Sequence, residues 1–137
     1  MSLKEIAAKF VKANDESVKG NMNLFDEIYA PDVLSHAPPS PDTRGLDALK
    51  RARVASLQGL SNITIDWQEA VTEGNTTAHR YIWRAHYTGA LTMSPTPARR
   101  EEVGGTTGVF YHVKNNKIIE EFWCASPPTR LTHTITR

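Results

Sequence analysis

The 137 residues contain a single cysteine, Cys124, so an internal disulfide is excluded and no paired Cys/His spacing of the zinc-binding kind exists. An excess of charge of one sign is also lacking. Sixteen Lys and Arg stand against fifteen Asp and Glu, a formal net of +1. Proteins of nucleic acid or of the membrane surface carry a basic excess, so both classes are disfavoured. Two short basic clusters, Arg51/Arg53 and Arg99/Arg100, read as solvated surface. No apolar run approaches the ~20 residues that span a bilayer. Lys4, Glu5 and Lys9 interrupt the region where a signal peptide would keep its hydrophobic stretch. Repeats and low-complexity tracts are absent. What remains is one soluble, cytoplasmic domain, long enough to bury about two-thirds of its unfolded surface, with no metal and no cofactor expected.

The helices come first. Ser2-Leu3-Lys4-Glu5 is a capping-box pattern, in which the Ser oxygen and the Glu carboxylate satisfy free amides at a helix start. Leu3, Ile6, Ala7, Phe10, Val11 and Val18 follow at helical spacing, and Gly20 ends the helix. Asn21 or Asn23 can cap a second, short helix with Leu24, Phe25 and Ile28 as its stripe, which Pro31 stops. Asp32 to His36 is extended, and Ala37 to Arg44, with three prolines, is a loop. Gly45 opens a third helix with Leu46, Leu49, Ala52, Val54 and Leu57 as candidate inward positions; Gly59 terminates it.

From Asn62 the apolar period changes from 3.6 to 2. Ile63, Ile65, Trp67 and Val71 alternate with polar residues up to the turn at Glu73-Gly74-Asn75. Thr76 to Thr88 forms the next strand, with His79, Tyr81, Trp83 and Tyr87 on one face and Arg80, Ile82, Arg84 and His86 on the other. An irregular segment, 89–97, precedes renewed extended structure from Arg99 to Val113. Asn115-Asn116 then supplies the positive φ of a two-residue hairpin turn. Ile118 to Ala125 is the return strand, with Cys124 read as a small buried hydrophobe, and Pro127-Pro128 ends it before a polar tail. Both faces of the 106–126 hairpin carry apolar groups, among them His112, Glu120 and Glu121. One face is therefore expected against a pocket and the other against a partner. Helices followed by long antiparallel strands give an α+β order, with the helices on one face of a curved sheet that encloses a hollow.

Several of these pieces together resemble the polyketide-cyclase-like (SnoaL-like) branch of the NTF2-like superfamily. They are Tyr29-Ala30-Pro31-Asp32-Val33-Leu34-Ser35-His36, Gly45-Leu46-Asp47-Ala48-Leu49, Tyr87-Thr88-Gly89, Pro95-Thr96, and Lys117-Ile118-Ile119-Glu120 with Phe122. The resemblance implies an NTF2-like cone over residues 1–137, with a core of about 3–126 and a tail of 127–137. It also implies a homodimer formed through the convex sheet face. In cyclase members an acid near the end of the last strand and a His on the preceding strand act on a polyketide ester. The His position matches His112, whereas the acid position falls on Ser126, which cannot serve as a carboxylate base.

The candidate catalytic residues are accordingly His112, with His36 or Glu120, moving a proton beside a carbonyl as a cyclase, isomerase or dehydratase does. Glu120 and Glu121 point in opposite directions, so at most one of them faces the pocket; Glu120, Phe122 and Ser126 are placed on the pocket side with His112, and Tyr111 and Trp123 toward helices or a dimer mate. Trp67, Tyr81, Trp83, Tyr87, Phe110, Phe122 and Ser126 are the candidate ligand-binding set for an apolar or aromatic small molecule. His86 lies 26 residues before His112, similar to the His pair of scytalone-dehydratase-like members, where Asp15 or Glu16 would supply the acid. The alternative function is a binding or accessory domain that keeps the cone without the chemistry.

Overall fold

The computed structural model describes residues 1–88, 102–126 and 129–130. In chain order these form α1 (Leu3–Ser17), α2 (Phe25–Ile28), β1 (Tyr29–His36), β2 (Thr43–Arg44), α3 (Leu46–Leu57), β3 (Leu60–Glu73), β4 (Thr76–Tyr87), β5 (Glu102–Lys114), β6 (Lys117–Ala125) and β7 (Thr129–Arg130). The segment 89–97, Pro95-Thr96, Arg99/Arg100 and the Pro127-Pro128 stop lie outside the described residues.

The capping box closes α1 as its spacing requires: Ser2 Oγ accepts from the Glu5 N–H at 3.1 Å and Glu5 accepts from the Ser2 N–H at 3.2 Å. Ile6, Ala7, Phe10, Ala13, Asn14 and Ser17 form its buried stripe. At α2 the expectation needs correction. Leu24 precedes the helix without a side-chain cap, and the Asn21 side-chain Oδ1 instead accepts from the Asn23 N–H at 3.0 Å. Pro31 lies within β1, where the β1–β6 register shifts between Tyr29 and Leu34; a proline is tolerated where ladder bonds are interrupted.

The inward stripe of α3 also differs. Leu46 and Leu49 are buried, Arg53 and Leu57 are half-buried, and Val54 is 50% exposed. Positions 46, 49, 53 and 57 share one helical face, while 52 and 54 flank it. Arg53 is therefore not solvated surface.

The strands run in the order β2-β1-β6-β5-β4-β3, with β7 paired to β5. Only β1–β6 is parallel among these pairs. Asn115 and Asn116 sit at φ 53° and 63°, the conformation that lets a two-residue turn follow the strand twist. The three helices cover one face of this curved, unclosed α+β sheet, and strand alternation decides which side chains reach them. On β4 these are Thr77, His79, Tyr81, Ala85 and Tyr87, and on β5 Val103, Thr107, Val109, Tyr111 and Val113, all buried. Phe10 of α1, fully buried, is the hub between the layers. Its ring lies 4.9 Å from His79, 4.7 Å from Tyr111, 6.1 Å from Trp67 and 6.2 Å from Trp123.

Candidate functional site

The hairpin β5–β6 sorts the expected catalytic residues by face. Register pairs His112 with Glu120 and Phe110 with Phe122, while Tyr111 pairs with Glu121 and Val109 with Trp123. The second set faces the helices. The expectation that His112, Glu120 and Phe122 look into the hollow is thus reversed, because both faces of the hairpin are apolar and alternation alone fixes parity, not side. Phe110 is 48% exposed, and Cys124 is exposed rather than buried. Ser126 is exposed beyond the end of β6, where its Oγ accepts from the Thr106 N–H at 3.1 Å. His86, partnered by Asn62 at 3.3 Å, lies on the outer face opposite His79.

On that outer face the structure does gather three of the candidates. His36 Nε2 is 2.7 Å from Glu120 and Nδ1 is 3.0 Å from Asp42, and the ring stacks on Phe122 at 4.6 Å. The hydrogen bond that His36 donates to Glu120 is the largest effect and raises the His36 pKa; burial opposes it, and the bond donated to Asp42 adds to the rise. His112 bonds Thr76 at 3.0 Å rather than a carboxylate.

The covered face holds a different ionisable cluster. Glu121 is only 1% exposed, and it accepts from Tyr29 at 2.5 Å, Ser35 at 2.8 Å and Trp123 at 2.6 Å. Burial raises its carboxyl pKa, against the lowering effect of the three donors and of the Arg53 charge. Burial likewise lifts the Tyr29 hydroxyl well above its usual range. Beside it, His79 bonds the Tyr111 hydroxyl at 2.9 Å, and burial depresses the imidazole to about 4, so it is neutral at pH 7. The Trp67 indole donates to Asp15 at 2.8 Å. His79, Tyr111 and Trp67 pack around Phe10, whereas Tyr29 also borders an opening of about 580 Å³ with Pro31, Leu46 and Lys117.

A cavity of about 160 Å³ lies between the end of α1, the last turns of α3 and the covered face of β3–β4. Val18, Leu57, Leu60, Ile63, Ile65 and Trp83 make its apolar wall, and Arg53, Ser56 and Tyr81 are its polar members. Of the expected aromatic set, Tyr81 and Trp83 line it. Trp67 and Tyr87 pack in the two core clusters instead. Ser126 is near the cavity wall, since a Cβ on Gly105 would sit 3.0 Å from both Ser126 Oγ and Trp83 Nε1. Among the described residues, no group of three or more His, Cys, Asp or Glu could hold a metal.

A sequence model of the SnoaL-like polyketide cyclase family matches residues 8–126. The chain belongs to that family. Solved structures share the NTF2-like fold of this SnoaL-like chain at low identity. A candidate SnoaL-like polyketide cyclase from Jannaschia sp. CCS1 superposes with a TM-score of 0.79 at 11% identity, covering 92% of this chain and 90% of its own. IdmH from Streptomyces antibioticus, a candidate polyketide cyclase, gives 0.70 at 17% identity, with coverages of 88% and 91%. An NTF2-like protein from Anabaena variabilis ATCC 29413 gives 0.72 at 12% identity, with coverages of 89% and 87%. No curated protein sequence matches the chain significantly.

Within this SnoaL-like chain, the residues that sequence reasoning missed are Arg53, Glu121, Tyr29, Ser35 and His79. A helix stripe drawn through residues 46, 49, 53 and 57 would have found Arg53. Grouping Glu121 with the already recognised inward pair Tyr111 and Trp123 would have found the carboxylate.

Proposed function

We propose that this SnoaL-like chain binds a small, mainly apolar carbonyl compound in the α1–α3–β3–β4 cavity. The observation that supports it is the pairing of an open apolar wall with a few convergent polar groups, the usual composition of a small-molecule site. The size sets the ligand's scale. A 160 Å³ space is close to the ~150 Å³ cavity that accepts benzene, so one ring or a short chain fits. Calorimetric titration with an aromatic ketone, acetophenone, tests this. Saturable binding that is lost when Ile65→Phe fills the cavity is expected; binding unaffected by that substitution refutes the site.

A second reading is acid–base chemistry on a carbonyl compound at the outer face, favoured by the 2.7 Å contact of His36 with Glu120; Glu121 is enclosed in the core and is not among the residues lining the cavity. His112, His36 and Glu120 would serve that chemistry only for a compound held on the outer face. Loss of turnover in both His36→Gln and Glu120→Gln is the expected pattern for this reading; turnover unchanged in both variants refutes it.

The outer face also supports a homodimer. Val71, Ala78, Phe110 and Phe122 form one row across β3, β4, β5 and β6, with Val71 62% and Phe110 48% exposed. A row of this kind is the surface that a second copy would cover. Light scattering should give twice the chain mass for the wild type and the single-chain mass for Phe110→Glu; a wild-type monomer at high micromolar concentration excludes the dimer.

A further inference from the structure

We infer that Arg53 selects the cavity's ligand for an anionic oxygen, a carboxylate or an enolate attached to one apolar ring or short chain. The inference rests on the cavity being the binding site, as proposed above. Arg53 occupies the inward stripe of α3 and lines the cavity. Its Nε donates to Ser17 Oγ at 3.0 Å, and Ser17 is in turn fixed by donating to the Asn14 carbonyl at 2.7 Å. One edge of the guanidinium is thereby held, which orients the rest.

Among the described residues Arg53 forms no ion pair, although Lys9, Lys50 and Arg80 each find a carboxylate. Glu121, whose carboxyl feels the Arg53 charge, already accepts three hydrogen bonds, and burial biases it toward its neutral form. A half-desolvated guanidinium whose Nη groups find no hydrogen-bond acceptor among the described residues is a poor neighbour for an apolar wall. A ligand that brings a negative oxygen supplies the missing acceptor, and the planar fork of Arg suits a carboxylate held by two parallel bonds. Ser56 and Tyr81 line the same cavity, while Leu57, Leu60, Ile63 and Ile65 hold the apolar part. Enolates belong to the same class, since they too present negative charge on oxygen beside an apolar frame.

The test compares benzoate with its uncharged analogues methyl benzoate and acetophenone by calorimetry, on the full chain at neutral pH. Wild type should bind benzoate roughly tenfold or more tightly than methyl benzoate, as a charge-assisted bond of this kind predicts. Arg53→Gln should remove that preference, and Arg53→Lys should keep part of it because the charge remains without the fork. Melting temperatures of both variants report whether they fold. If methyl benzoate and acetophenone bind as well as benzoate to wild type, the charge selection is overturned while the cavity remains the site. If none of the three binds, or if Ile65→Phe leaves binding intact, the cavity itself is not the site and the inference falls with it.

Discussion

Substituting Glu121 probes the buried cluster that ties β1 to β6. Truncation to Ala strands two buried hydroxyls, those of Tyr29 (2% exposed) and Ser35 (7% exposed), and opens a void in the core. An unpaired buried donor costs about 1–3 kcal/mol, and the void adds to this, so a loss on the order of 4 kcal/mol is expected. With urea slopes of ~1–3 kcal/mol/M, the midpoint should fall by roughly 2 M. Glu121→Gln keeps shape and one acceptor, so a smaller loss of about 1–2 kcal/mol is expected.

The pH dependence of Glu121→Gln separates burial from charge. Burial raises the native pKa of Glu121 above its ordinary value of 4.5, so the folded state holds this proton more tightly than the unfolded state does. The stability it contributes is complete below about 4.5 and is lost as pH rises through the raised native value. Each unit of that elevation corresponds to about 1.4 kcal/mol. Urea unfolding of wild type and Glu121→Gln, followed by tryptophan fluorescence across this range, should therefore show the wild-type advantage shrinking as pH rises. An advantage that grows with pH would mean that the three donors and Arg53 favour the carboxylate more than burial opposes it, refuting the burial explanation.

Glu120→Gln should lower the His36 titration midpoint in an NMR pH series, because the largest cause of its elevation is removed; an unchanged midpoint would leave the 2.7 Å contact without effect. Wild-type stability linked to His36 is fully present below the unfolded histidine value and should be lost as pH rises through its raised native value. Phe10→Ala removes the ring packed against His79, Tyr111, Trp67 and Trp123 and should destabilise by about 3–5 kcal/mol in urea unfolding. Replacing Asn115 and Asn116 by Gly-Gly should leave stability within about 1 kcal/mol, whereas Val-Val, whose branched side chains resist positive φ, should cost several times more.

Much of the framework was legible because it depends on local rules. The Ser2/Glu5 capping box, the Asn115-Asn116 turn and the His79–Tyr81–Trp83–Tyr87 face of β4 each follow from neighbours in sequence. The site was less legible for two reasons. Parity along β5–β6 grouped His112 with Glu120 and Phe122 correctly, yet with Phe110 and Ile119 on one side and Val109 and Ile118 on the other, hydrophobicity did not mark the covered side. The Glu121–Tyr29–Ser35 cluster depends on the parallel β1–β6 pairing, which joins residues 92 and 86 positions apart. Arg53 was obscured by its residue type, since a charged residue beside Arg51 looks like surface until α3 is rotated against the sheet.

The site on the covered face is tested most directly by mapping a bound probe, benzoate, through amide chemical-shift changes. Shifts concentrated at Arg53, Leu57, Ile63, Ile65 and Trp83 are the expected result. Shifts concentrated instead at His36, Phe110, His112 and Phe122 would put the ligand on the outer face and contradict the assignment.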